Sequence, residues 1–289
     1  MSAATHRPHR IAAAFAAGRE AGRPLVVPFI TAGFPRADAT GPVVEALADA
    51  GADMIEIGMP FSDPLADGPT IQRSSEVALR GGMTVRKTVA AVAALRHAGL
   101  ETPLILMGYC NPLYAYGMDE FLADAAAAGV DGLIVPDIPP DEAAEFLAGC
   151  ADVGMSATFL VAPNAPDERV RKVDAASTHF SYCVTVTGVT GARSDVPQRT
   201  VAFLQRVRAL ADKPFVAGFG IKRPEHVVAL GRYADGVVVG SALIDAIEAA
   251  GGEDTDNEGA ARAAAAVVAP LCEAARELAG SQGDGGGEL

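Results

Sequence analysis

The chain has 289 residues, half of them apolar and none of them Trp, which is material for a packed globular protein and not for a disordered segment. Its formal charge of −13 argues against a surface for nucleic acid or anionic membrane, yet leaves room for a single phosphate held by backbone N–H groups. Cys110, Cys150, Cys183 and Cys272 are scattered without a CxxC pair, which suits free thiols in a reducing compartment.

In chain order, residues 1–10 are polar and basic, and the alanine-rich run that follows is too short for a signal peptide. No window has the length of a membrane-spanning helix, so a cytoplasmic location is expected. Residues 11–18 predict an extra helix ahead of the first strand. Apolar runs suited to strands then recur at 25–30, 54–57, 104–107, 132–135, 157–161, 180–184, 215–217 and 236–239, eight in all. Between them, three- and four-residue apolar spacing marks helix faces: Val43, Val44 and Leu47; Val85, Val89, Val92 and Leu95; Phe121, Leu122 and Ala125; Phe146 and Leu147; Val201, Leu204, Val207 and Leu210. Gly51, Gly99 and Gly129 suit the left-handed position that ends a helix.

Eight strands alternating with helices fit a closed (β/α)8 TIM barrel or a doubly wound open sheet; the length and the count of eight favour the barrel. The expectation is one α/β domain over 1–280, the extra N-terminal helix covering the barrel's N-terminal end. Residues 251–259 read as an acidic surface loop before a last helix near 260–279, and 281–289 as a flexible Gly-rich tail.

The second strand carries the residue that most needs explaining. Alternation puts Ile55 and Ile57 on one face and Met54, Glu56 and Gly58 on the other. Both faces of a parallel sheet are covered, so Glu56 is a carboxylate aimed into a core, where it must be paired, neutralised or used. No Lys or Arg stands at a strand end to pair with it, which favours catalysis. Asp67, eleven residues on, is either a turn former before Gly68 or a second working carboxylate. A barrel's active site lies at the C-terminal ends of its strands, where Gly218, Gly220, Gly240 and Ser241 follow the last two. They suit a phosphate site, with ordinary turns as the other reading. Tyr109 and Tyr182 are compatible with packing alone, and the five histidines show no metal-ligand spacing.

Pro60-Phe-Ser-Asp-Pro-Leu-Ala-Asp-Gly-Pro-Thr-Ile-Gln72, preceded by Glu56-Ile-Gly58, resembles the signature of the tryptophan synthase α subunit family. Phe29-Ile-Thr-Ala-Gly-Phe-Pro35, Met107-Gly-Tyr-Cys-Asn-Pro112, Pro136-Asp-Ile-Pro-Pro140, Gly188-Val-Thr-Gly-Ala192, Gly218-Phe-Gly-Ile221 and Val239-Gly-Ser241 follow in that family's order, over roughly 15–250. Thr185, where a serine is expected, and the 251–259 insert are mild departures.

The resemblance implies retro-aldol cleavage of indole-3-glycerol phosphate to indole and glyceraldehyde 3-phosphate. It implies that Glu56 moves protons and that Asp67 accepts from the indole N–H. Phe29, Met107, Tyr109, Pro136 and Phe219 would flank the indole, and Tyr182 would support Glu56. Gly191, Gly220, Gly240 and Ser241 would hold the phosphate, and Thr190, in a closing loop, would bond Asp67. No cofactor is implied in this chain. The implied partner is a tryptophan synthase β subunit carrying pyridoxal phosphate in an α2β2 assembly, with the 63–67 and 188–193 loops near it. Other readings are a stand-alone lyase releasing free indole, a different phosphate-binding barrel isomerase or aldolase, and a regulatory subunit. A Schiff-base aldolase would need a strand-end lysine, and only Lys222 comes close.

Overall fold

A computed structural model describes residues 9–184, 196–218 and 220–283. The first half of the chain gives α1 (Arg10–Glu20), β1 (Leu25–Thr31), α2 (Thr40–Asp49), β2 (Ile55–Gly58), α3 (Pro69–Arg80), α4 (Val85–His97), β3 (Leu104–Met107), α5 (Cys110–Tyr116), α6 (Met118–Ala128) and β4 (Gly132–Ile134). The second half gives α7 (Ala144–Asp152), β5 (Ser156–Thr158), β6 (Leu160–Val161), α8 (Asp167–Ala176), β7 (Ser181–Val184), α9 (Gln198–Leu210), β8 (Phe215–Gly218), α10 (Pro224–Gly231), β9 (Gly236–Val239), α11 (Ser241–Ala249) and α12 (Asn257–Gly283).

All pairings are parallel, in the order β5-β4-β3-β2-β1-β9-β8-β7-β6. The two ends of that order, β5 and β6, are one strand position interrupted at Phe159. There the N–H turns to the Ser177 hydroxyl at 3.1 Å, so the first half pairs with β4 and the second with β7. The break accounts for nine segments among the described residues where the apolar runs predict eight, and the architecture is the (β/α)8 barrel.

Side-chain alternation sorts the core into two shells. Ile55 and Ile57 face outward and pack with Val43, Leu47, Val89 and Val92 of α2 and α4. Val27, Phe29, Met54, Ile105, Ile134, Val216 and Val238 fill the barrel interior. Helix α1 closes the N-terminal end. Ile11 and Phe15 join the interior cluster, and the Phe15 ring lies 5.3 Å from that of Phe180.

Three αβ loops carry an aspartate with one shared function at that end. Asp53 accepts from Val26 N–H at 2.8 Å, Asp131 from Leu104 N–H at 2.8 Å, and Asp235 from Phe215 N–H at 2.9 Å. Each is neutralised by an arginine, respectively Arg23, Arg96 and Arg208. The carboxylates thus satisfy N–H groups at strand starts that the sheet leaves open.

Gly51, Gly99 and Gly129 all take left-handed φ values (+97°, +94° and +87°) after α2, α4 and α6, which is why the helices stop there. Helix α12 runs from Asn257 to Gly283, longer at both ends than the periodicity predicts. The expected acidic loop contains a 3-10 turn, Gly252–Asp254. The remainder of the expected tail lies outside the described residues. No helix among the described residues is long and apolar enough to cross a membrane.

Candidate active site

The C-terminal ends of the strands surround a cavity of about 440 Å³. Of the residues singled out in the sequence, Phe29, Asp67, Met107, Tyr182, Gly218, Gly220, Gly240 and Ser241 line it. Ile134, Leu160 and Val238 add inward positions of β4, β6 and β9, and Thr70 and Ile71 enter from the first turn of α3. The strand residues were accessible to the alternation argument once Glu56 is taken as inward. Those of α3 were not, because where its first turn lands against the barrel mouth is set by the fold and not by spacing along the chain.

Glu56 sits below the lining. It is 0% exposed and stands in register with Phe29 of β1 on one side and Ile105 of β3 on the other, both apolar. Neither carboxylate oxygen has a hydrogen-bond partner among the described residues. Desolvation therefore acts unopposed and pushes its pKa up from the ordinary 4.5 to about 8, so the group is protonated at neutral pH. Gly58, on the same face, is bare for a reason: a Cβ there would lie 2.5 Å from Phe29 Cζ.

Asp67 reaches the cavity from the β2–α3 loop. Burial raises its pKa to about 6, and a hydrogen bond from Tyr109 works in the other direction. The Tyr109 hydroxyl also accepts from Ala66 N–H at 3.0 Å, and its ring lies 5.5 Å from that of Phe61. Tyr109 is thus a buried clamp on the loop and not part of the lining. Tyr182 lies within electrostatic reach of both acids. Burial, then the charges of Glu56 and Asp67, raise its phenol well above the ordinary value, so it remains a neutral hydroxyl. Gly218 makes the room, since a Cβ at that position would come within 2.7 Å of Tyr182 Oη.

Across the cavity, α11 begins at Ser241 with Gly240 as its N-terminal cap. Leu243 N–H already donates to the Gly240 carbonyl at 2.9 Å, so the N–H groups of Ser241 and Ala242 are the ones left to make that end a receptor for negative charge. Gly220 takes φ +60°, a conformation that strains any residue with a Cβ. Pro136, half-buried at the end of β4, does not line the cavity. Ile134 and Leu160 line it instead. Thr190, Gly191 and Phe219 lie outside the described residues. No cluster of three or more His, Cys, Asp or Glu side chains able to hold a metal occurs among the described residues.

A family model described as "Tryptophan synthase alpha chain" matches residues 15–276. The chain is 49% identical over 239 residues to the tryptophan synthase alpha chain of Roseiflexus castenholzii, covering 83% of this chain and 92% of that protein. It is 45% identical over 240 residues to that of Chloroflexus aggregans, covering 83% and 90%. Among solved structures, the Legionella pneumophila tryptophan synthase subunit alpha superposes with a TM-score of 0.85 at 32% identity, covering 94% of this chain and all of that one. A chain of Mycobacterium tuberculosis tryptophan synthase superposes with 0.83 at 38% identity, covering 93% and 99%. A single match that spans the whole barrel, with both acids inside it, places this chain in the tryptophan synthase alpha chain family.

Proposed function

We propose that Glu56 and Asp67 carry out this family's reaction, the retro-aldol cleavage of indole-3-glycerol phosphate to indole and glyceraldehyde 3-phosphate. The observation that carries the assignment is the contrast between the two acids. Glu56 is held protonated with a pKa of about 8, while Asp67, at about 6, is ionised at neutral pH.

The chemistry needs that contrast. Carbon 3 of the indole must gain a proton before its bond to the glycerol chain can break, and Glu56 is the group with a proton to give. The ring nitrogen becomes positive as carbon 3 is protonated, and the Asp67 carboxylate accepts its N–H and stabilises that charge. When the carbon–carbon bond breaks, its electron pair returns to the ring. The hydroxyl on the departing carbon becomes the aldehyde and loses its proton to the Glu56 carboxylate left by the first step. Glu56 ends as it began, so no net proton is consumed.

Phe29, Met107, Ile134 and Leu160 supply apolar walls for an indole ring, and Gly220, Gly240 and Ser241 a cradle for the phosphate. Tyr182, a neutral hydroxyl beside both acids, supports Glu56 without competing as a charge.

The partner reading follows from the same family. The indole product passes to a β subunit whose pyridoxal phosphate joins it to serine, in an α2β2 assembly. Leu65, 92% exposed two residues from Asp67, is an apolar side chain that such a partner would cover. The relatives named above are alpha chains, and no observation favours a stand-alone lyase over this reading.

The test is indole release from indole-3-glycerol phosphate by the purified chain, alone and with a β subunit, beside Glu56→Gln. Slow turnover that rises with the β subunit and disappears in the variant supports the assignment. Turnover that survives in Glu56→Gln removes Glu56 from the mechanism.

A further inference from the structure

The segment between β8 and α10 connects the proposed phosphate cradle to a buried histidine with no part in the chemistry above. Gly220 lines the cavity at φ +60°, Ile221 is anchored in the core at 1% exposure, and Arg223 caps α10. His226, in the first turn of α10, is 3% exposed. Its Nδ1 accepts from Lys222 N–H at 3.3 Å, while the His226 backbone N–H donates to the Arg223 carbonyl at 3.0 Å. A first-turn side chain thus reaches back to a backbone N–H ahead of the helix, as the Glu or Gln of a capping box does, but here to Lys222, one residue before the cap Arg223, and without the reciprocal side-chain bond.

An acceptor at Nδ1 requires the neutral ring with its proton on Nε2. The Arg223 guanidinium lies 3.5 Å from Nε2, so a charged ring would be placed beside a second cation. Burial, then Arg223, hold the pKa of His226 below the ordinary 6.5, with Glu225 opposing and Lys222 adding to the effect. Strand β9, packed on α10, carries only Gly and Val, and no group of α12 is among those acting on the ring.

We propose that His226 is a positioning residue for the phosphate cradle: its neutral imidazole holds Lys222 N–H, fixing the turn that presents Gly220 to the cavity, and protonation releases that turn. The proposal rests on the reading that Gly220, Gly240 and Ser241 hold the substrate's phosphate. Its consequence is phosphate affinity that weakens in acid, separately from the proton chemistry of Glu56 and Asp67.

The experiment follows glycerol 3-phosphate binding by phosphorus NMR, and KM and kcat for indole-3-glycerol phosphate, from pH 5 to 8 in wild type, His226→Ala and His226→Gln. Glutamine accepts the same N–H but does not titrate. We expect His226→Ala to weaken binding and raise KM by about five-fold, the effect of one lost hydrogen bond, with kcat little changed. His226→Gln keeps wild-type affinity at pH 8 and loses the part of the acid weakening that the ligand's own ionisation does not explain. An unchanged KM in His226→Ala, or the same acid weakening in His226→Gln as in wild type, overturns the proposal. Ser241→Glu, which sets a carboxylate at the cradle, separates the two readings. If it binds glycerol 3-phosphate normally, the phosphate assignment fails; if it loses binding while both His226 variants match wild type, only the positioning role fails.

Discussion

Tyr109 and Asp67 are joined across the mouth of the barrel: the phenol donates to the carboxylate while its oxygen accepts from the neighbouring Ala66 N–H at 3.0 Å. One hydroxyl thereby fixes the loop that carries Asp67 and stabilises the charged form of the acid. Tyr109→Phe removes both interactions. The hydrogen bond lowers the Asp67 pKa, so its loss lets burial raise that value above about 6. The acid limb of kcat/KM for indole release moves to higher pH, which a pH–rate profile measures directly. An acid limb that stays in place would separate Tyr109 from the ionisation of Asp67.

The two acids together predict a bell-shaped profile for wild type. Asp67 must be ionised and Glu56 protonated, which sets limbs near pH 6 and pH 8. Glu56→Gln lowers kcat by at least about 100-fold. The variant also carries a stability signature. The folded pKa of Glu56 is about 8 against 4.5 for the exposed group, so the unfolded chain releases a proton that the folded chain keeps. Wild-type stability at this group is complete below pH 4.5 and declines as pH rises to about 8. Relative to Glu56→Gln, wild type loses on the order of 3 kcal/mol between pH 4.5 and pH 7 in denaturant melts.

Gly218→Ala tests the space reserved for Tyr182. The new Cβ would stand 2.7 Å from Oη and 3.0 Å from Cε1, so the phenol must leave its present position. Overpacking of this kind costs about 1–3 kcal/mol. The expected result is a lower Tm together with a fall in kcat; wild-type kcat would show that the position of Tyr182 is not critical.

Phe15→Ala probes the opposite end of the barrel. Phe15 plugs the interior against Phe180 and does not itself line the cavity. Truncation should destabilise the chain by about 3 kcal/mol, leaving KM for the substrate unchanged at temperatures where the variant is folded. A KM shift would mean that the plug sets the geometry at the catalytic end.

Much of this protein was determined locally, by side-chain alternation and helix-ending glycines. The opposite facing of Glu56 and Ile57 follows from their adjacency on a strand, and the stops at Gly51, Gly99 and Gly129 need only an αL position. The site motifs at 29–35, 56–72, 218–221 and 239–241 are each contiguous enough to read without a fold. Tertiary structure decided what those residues experience. Glu56 is an unpartnered acid because Phe29 and Ile105, 27 and 49 positions away in the chain, are its register neighbours. Asp67 passes from turn former to cavity acid because Tyr109, from another strand end, meets it. The interruption at Phe159 depends on a hydroxyl at Ser177, and the place of Thr70 and Ile71 in the cavity wall on where α3 lands. Periodicity is a property of neighbours in sequence, whereas desolvation and hydrogen-bond partners are summed over neighbours in space, which only the closed barrel assembles.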